Sequence, residues 1–335
     1  MVSEESARKV IRHEIEDDID NLDAHTIGRA HETFIFETDS EKYILKASNE
    51  KRLEDRFQVE APVYRLLKSS TDVPVPEIVA FDNSKRDFNF MYFISGFEKG
   101  ENIDTYEADS GPKFRYLSVE RKKKVLESAG EVLGKLHSQT SFKSFGFLES
   151  ENNELEFRKK SSWKKIFREI IIEEQMENFP ERFQDLQDLI RGFVEENLDV
   201  LKYVDSPCII HQDFRWPNVK VSGDKVSTVF DWERAVAGHA EYDLAKAEES
   251  LIQVDSNGLY RKYRESLLKG YRKHSKLEDG WERRMQFYKA VRPVEALWTF
   301  EGWTEGMNEE KKEAMAEYQR NQLKKRIENY GGDNP

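Results

Sequence analysis

The stretch His211-Gln212-Asp213-Phe214-Arg215-Trp216-Pro217-Asn218, followed by Phe230-Asp231-Trp232-Glu233, gathers the residue types that transfer of a phosphoryl group requires. A hydroxyl attacking phosphorus needs a carboxylate that orients it and takes its proton. The phosphates need a divalent cation held by hard oxygen ligands. Asp213 follows the short apolar run Cys208-Ile209-Ile210, so it falls in a loop at a strand end, where a side chain can point into a cleft. Asn218 lies in the same loop. Asp231 ends the second strand of a hairpin that turns at Gly223-Asp224, which folds it back beside Asn218. The spacing H-x-D-x-x-x-x-N, then a strand-terminal Asp, is that of a phosphoryl-transfer loop. Taken alone, such a match is common by chance.

A second pair upstream gives it weight. Lys46 closes the apolar run Tyr43-Ile44-Leu45, and Glu60 interrupts the helical stripe Leu53, Phe57, Tyr64, Leu67. A carboxylate on an otherwise apolar face wants a buried partner, and Lys46 is the obvious one. Such a lysine grips the α- and β-phosphates of a nucleotide, and the glutamate holds the lysine.

The elements that must position these groups follow from the patterning. Residues 1–23 read as a polar lead-in helix. Thr33–Thr38 and Lys42–Ala47 read as strands joined at Asp39-Ser40-Glu41. Residues 49–69 read as helical, with Pro62 either kinking the helix or starting a second one. Val73-Pro74-Val75-Pro76 reads as an extended linker before two further β-like runs, Glu77–Phe81 and Asn89–Ile94. Residues 118–139, 161–203, 244–275 and 281–329 are charged and helix-periodic, with a β-rich island at 208–230 in their midst. The expected architecture is α+β: a small β-rich N-terminal unit, residues 1–95, and a larger, mainly helical unit, residues 96–335, hinged at 95–101.

Composition narrows the partners. The 335 residues carry 53 Lys+Arg against 65 Asp+Glu, a net charge of −12. That excludes a nucleic-acid backbone as the main partner and weakly suits a cationic ligand. The single cysteine, Cys208, rules out an internal disulfide framework and reads as buried and inert. No apolar run approaches the ~20 residues that span a bilayer, and the charged N-terminus has no signal-peptide core. The expectation is a cytoplasmic protein, neither membrane-bound nor fixed in oligomeric state by its sequence.

These segments resemble the aminoglycoside phosphotransferase and choline kinase family, whose fold is the bilobal protein-kinase-like fold. The family's H-G-D-x-x-x-x-N reads here as His211 to Asn218, its I-D-W-E segment as Val229-Phe230-Asp231-Trp232-Glu233, and its D-x-x-Y-D-L-A segment as His239 to Ala245. Leu133-Gly134-Lys135-Leu136-His137 and Val73-Pro-Val-Pro76 are similar to two further family segments, so the likeness spans roughly residues 25–250. It implies that Asp213 is the catalytic base and that Asn218 and Asp231 hold Mg²⁺. It also implies that Lys46 and Glu60 serve ATP, that His211 and Asp243 brace the loop, and that the backbone at Ile94-Ser95-Gly96 receives the adenine.

Two departures stand out. The phosphate-covering segment Thr26–Glu32 has one glycine, Gly28, and Gln212 replaces the usual glycine between His and Asp. Glu233, Glu241, Trp298 and Glu301 are candidates for a substrate wall suited to a cation; the cluster around Trp298 and Glu301 also reads as a helix face packed on the core. The function implied is an ATP- and Mg²⁺-dependent kinase acting on a hydroxyl of an amine, amino-alcohol or sugar. The alternative is a non-catalytic ATP-binding protein on the same fold. A protein kinase fits poorly, because D-F-G and A-P-E are absent.

Overall fold

The computed structural model describes residues 2–17, 19–25, 31–103, 113–252 and 258–332. The N-terminal sheet holds β1 (Ile19–His25), β2 (Glu32–Thr38), β3 (Lys42–Ser48), β4 (Ile78–Asp82) and β5 (Met91–Gly96), in the order β1-β2-β3-β5-β4, all antiparallel. The β2–β3 hairpin turns where expected, with Thr38 N–H donating to the Glu41 carbonyl at 2.9 Å. Alternation sends Phe34, Phe36, Leu45 and Ala47 to one face. There they pack on Ala7, Val10 and Ile11 of α1 (Glu4–Glu14), which Ser3 caps through the Ser6 N–H.

The lead-in is thus not one helix over residues 1–23. It stops at Glu14, and residues 19–25 form β1. A register shift between Ile19 and Asn21 breaks the strict alternation that identifies a strand, which hides β1 in a polar stretch.

Helix α2 (Glu54–Ser70) is continuous, although Pro62 lies inside it. Proline leaves the carbonyl four residues back without its helical donor. That carbonyl belongs to Gln58, and the Asn83 side-chain amide donates to it at 3.0 Å. The other face of the sheet, through Met91 and Phe93, packs with Phe57, Tyr64 and Leu67 of α2 in a core that continues into the helical region.

That region is less helical than its charge pattern suggests. Residues 145–161 form the hairpin β6 (Phe145–Glu151) and β7 (Glu154–Ser161), turning at Asn152-Asn153. Both asparagines have positive φ, 51° and 64°, as a two-residue hairpin turn requires. β6 joins a four-stranded sheet, β7-β6-β11-β8, with β8 (Pro207–Ile210) and β11 (Val236–His239). The helical reading of 161–203 resolves into α5 (Trp163–Arg168), a π-helical segment Glu169–Gln175, 3₁₀ turns around Pro180, and α6 (Gln187–Asn197).

Two long helices near the site cross closely. The short helix α3 (Lys113–Tyr116) leads to α4 (Val119–Gln139), where a Cβ at Gly130 would strike the Leu267 carbonyl of α8 (Tyr260–Tyr271). A Cβ at Gly270 would strike the Glu127 carbonyl in return. Only glycine permits this approach, which brings His137 at the end of α4 against Tyr271. No described helix is long and apolar enough to cross a membrane.

Candidate active site

The loop leaving β8 is held from beneath by Asp243, in the first turn of α7 (Ala240–Ile252). Its carboxylate accepts the backbone N–H groups of His211 (2.8 Å) and Gln212 (2.7 Å) and meets His137 Nε2 at 3.2 Å. Burial alone would raise the Asp243 pKa; the His137 hydrogen bond and nearby charge hold it below the ordinary carboxylate value. His137 Nδ1 in turn meets the Tyr271 hydroxyl at 3.1 Å, so the α4–α8 crossing supports the loop.

His211 is buried. Its Nε2 donates to the Phe230 carbonyl (2.8 Å) and its Nδ1 accepts the Asp213 N–H (3.2 Å), which selects one tautomer. The expected bracing by His211 and Asp243 is therefore present as hydrogen bonds.

Gln212 stands in the left-handed region, φ 63°, where the family's glycine would be unstrained. That conformation costs a side-chain-bearing residue about 1–2 kcal/mol. The Asp243 bond and a 2.7 Å bond from Gln212 Nε2 to the Arg234 carbonyl offset it.

Asp213 and Asn218 meet directly, and Asp231 reaches them through the backbone of the hairpin. Asn218 Nδ2 donates to the carbonyl (2.9 Å) and to Oδ2 (3.0 Å) of Asp213, which leaves the Asn218 amide oxygen as its ligand atom. Arg215 Nε also donates to Asp213 Oδ2, at 3.0 Å. The hairpin of β9 (Val219–Ser222) and β10 (Lys225–Val229) closes with Phe230 N–H on the Asn218 carbonyl, at 2.9 Å. Asp231 comes next, also left-handed at φ 66°.

Lys46 Nζ reaches Glu60 Oε2 at 2.6 Å and Asp231 Oδ1 at 3.3 Å. The Tyr64 hydroxyl donates to Glu60 Oε1 (3.3 Å) and accepts the Asp231 N–H (3.0 Å), tying α2 to the metal-candidate strand end. Tyr64 reads in the sequence only as core, and its second role depends on long-range geometry.

One ammonium here faces three carboxylates. Oxygens of Glu60, Asp231 and Glu233 lie within 4.8 Å of one another. Burial opposes the charge of Lys46, but Glu60, Asp231 and Glu233 raise its pKa well above the ordinary value. Glu60 is pushed up to about 7 by burial and by its acidic neighbours, against the pull of Lys46. Glu233 is held down to about 2: burial opposes ionisation, and the His31 hydrogen bond (Nε2 to Oε2, 2.9 Å) and Lys46 outweigh it. His31 carries no sequence signal, since its partner is 202 positions away. An excess of hard oxygen donors beside one lysine fits a divalent cation. Asp231 of this set would hold it, with Asn218 joined to the same strand end through the Phe230 N–H.

Beside Gln212 and Glu233 opens a cavity of about 280 Å³, walled by Arg56 of α2, Phe147, Glu174, Arg234 and Trp298. Trp298 and Glu233 thus border the cleft as expected. Glu241 does not: it is buried in a two-pronged pair with Arg284, at 2.6 and 2.7 Å. Glu301 lies outside the lining, 3.3 Å from Arg182 and 3.8 Å from Lys312. Glu241 is a candidate by its nearness to the loop in sequence and Glu301 by its aromatic and acidic neighbours, and ion pairing with Arg284 and Arg182 draws them elsewhere. Ile94 is fully buried in the sheet between Leu45 and Ala80, and the Gly96 N–H already donates to the Glu77 carbonyl at 3.0 Å. Gly28 lies outside the described residues.

A sequence profile of the phosphotransferase enzyme family matches residues 22–287. The chain belongs to this family. Comparison with curated proteins gave no significant match. Among solved structures, aminoglycoside phosphotransferase APH(4)-Ia is similar, with a TM-score of 0.63 and 16% identity, covering 98% of this chain and 100% of that one. A candidate fructosamine-3-kinase from Haemophilus somnus 129PT has a TM-score of 0.61 and 17% identity, covering 95% and 97%. The streptomycin-ATP-APH(2")-IIa ternary complex has a TM-score of 0.59 and 17% identity, covering 96% and 99%. At these identities the solved structures establish the fold alone. Together with the family match, they bear out the α+β, kinase-like architecture and make the protein a phosphotransferase.

Proposed function

We propose that this phosphotransferase is an ATP-dependent small-molecule kinase that moves the γ-phosphoryl group to an acceptor hydroxyl. One observation carries the assignment: Lys46 bonds Asp231, Asn218 bonds Asp213, and the Phe230 N–H on the Asn218 carbonyl joins the two pairs through the backbone. Asp213 orients the acceptor hydroxyl and takes its proton as the new oxygen–phosphorus bond forms. The bond from the γ-phosphorus to the bridging oxygen breaks, and ADP leaves. Lys46, positioned by Glu60, grips the α- and β-phosphates. Mg²⁺ held by Asn218 and Asp231 would neutralise charge on the phosphates. The N-terminal sheet and α2 form the nucleotide lobe, and the helical region with its loops forms the acceptor lobe. Similar solved complexes, one with ATP and streptomycin and one with AMP-PNP and hygromycin B, support a site for a nucleotide beside a small acceptor.

The case for a cationic acceptor weakens, because Glu241 and Glu301 pair with the protein's own basic residues. The test is an ATP-consumption screen over hydroxyl-bearing amines, amino acids, sugars and hydroxy acids. An acceptor-dependent turnover that Asp213→Asn abolishes is expected. Equal turnover by Asp213→Asn and wild type would overturn the assignment.

A further inference from the structure

The cavity beside the catalytic loop carries a charge pattern that overall acidity hides. Arg56 and Arg234 both lie over the Trp298 ring, their guanidinium carbons 5.2 and 5.8 Å from its centroid. Arg234 pairs with Glu295, but that one carboxylate also serves Lys246 at 3.0 Å and Arg292 at 2.6 Å. Three cations therefore share a single buried anion next to the loop.

Among the described residues, Arg56 has no carboxylate in direct ion-pair contact. Asp55 pairs with Arg158, and Glu233 pairs with His31. Glu174, Glu233 and Glu295 attract Arg56 from beyond ion-pair contact. Burial, and then repulsion from Arg234, draws the Arg56 pKa down. Burial pushes the Glu174 pKa up, against the attraction of Arg56 and Arg234.

Two like charges held over one indole repel each other. An anion between them turns that repulsion into attraction, and the planar guanidinium fork matches the oxygens of a carboxylate or phosphate. Resting on the kinase reading above, we propose that the acceptor carries an anionic oxyacid group. Arg56 and Arg234 hold that group over Trp298 while its hydroxyl faces Asp213. Arg56 and Arg234 are then specificity-determining residues, and the protein's substrates differ in charge from the amines its net charge suggests.

The test is calorimetric titration of the full chain, with and without Mg·ADP, against four small hydroxyl compounds: D-glycerate, glycerol 3-phosphate, glycerol and ethanolamine. At least one anion binds tenfold or more tightly than glycerol and ethanolamine. Glycerate against glycerol 3-phosphate decides between carboxylate and phosphate. Arg56→Met weakens that binding tenfold or more, and Arg56→Lys restores part of it. Anions that bind no better than glycerol, preferential binding of ethanolamine, or an unchanged Arg56→Met overturns the proposal. Mg·ADP binding is read separately in the same titrations, so its failure counts against the kinase reading and not against the anion site.

Discussion

The proposed phosphate end and the proposed acceptor end of this site are built from different kinds of sequence. At the proposed phosphate end, Lys46, Glu60, Asp213, Asn218 and Asp231 occur in a recognisable motif order, and they form two hydrogen-bonded groups, Lys46 with Glu60 and Asp231, and Asn218 with Asp213. At the acceptor end, Arg56, Arg234, Glu295 and Trp298 come from α2, from the turn after Asp231 and from the helix Pro293–Trp298, and share no local motif. Proton transfer and phosphate binding admit few residue types in few arrangements. Recognition of a small molecule admits many, so its residues follow the packing of the particular chain.

If the two ends are separable, variants at each should fail differently. The largest effect belongs to Asp213→Asn. It should lower kcat by about 10²–10⁴-fold while Mg·ATP affinity, read by calorimetry, changes little. A matching loss of nucleotide affinity would mean the ends are not separate.

Next comes Glu295→Gln at the acceptor end, which leaves Arg234, Lys246 and Arg292 without their anion. Breaking a buried pair this way costs about 3–5 kcal/mol, measurable by urea unfolding. The same group predicts a pH dependence. Burial opposes it, but Arg234, Lys246 and Arg292 depress the folded-state pKa of Glu295 well below 4.5. Its contribution is therefore complete above about pH 4.5 and is lost as the pH falls from there towards the folded-state value. The unfolding midpoint of the wild type should drop through that window, and Glu295→Gln should drop less steeply.

A smaller change is expected from Glu60→Gln. It removes the charge that positions Lys46 and should weaken Mg·ATP binding about tenfold, or about 1.4 kcal/mol. Binding of the anionic probe should stay unaltered.

The smallest effect is at the junction of the two ends. Gln212→Gly relieves the left-handed strain but loses the bond to the Arg234 carbonyl. The two should nearly cancel, leaving stability within about 1 kcal/mol of wild type.

What could be read from the sequence follows the same division. The β2–β3 hairpin, α2 and the catalytic loop show in local patterns, and Glu60 stands out because a carboxylate on an apolar stripe needs a partner. β1 escaped because a bulge breaks its alternation. The β6–β7 hairpin has a readable turn at Asn152-Asn153, but charged helix-like flanks obscured it. Glu241 and Glu301 sit away from the cavity because they pair with Arg284 and Arg182, which lie far along the chain. His31 on Glu233, Asn83 on the Gln58 carbonyl and Arg56 on Trp298 are likewise contacts between separate segments, and no local period encodes them.

The central claim is that Lys46 and the loop from Asp213 to Asp231 form a magnesium-dependent nucleotide site. Calorimetric titration of ATP with and without Mg²⁺, on wild type and on Asp231→Ala, tests it without knowledge of the acceptor. Wild type should bind ATP at least tenfold more tightly with Mg²⁺, and Asp231→Ala should lose that gain. ATP binding that ignores both magnesium and Asp231 would contradict the account.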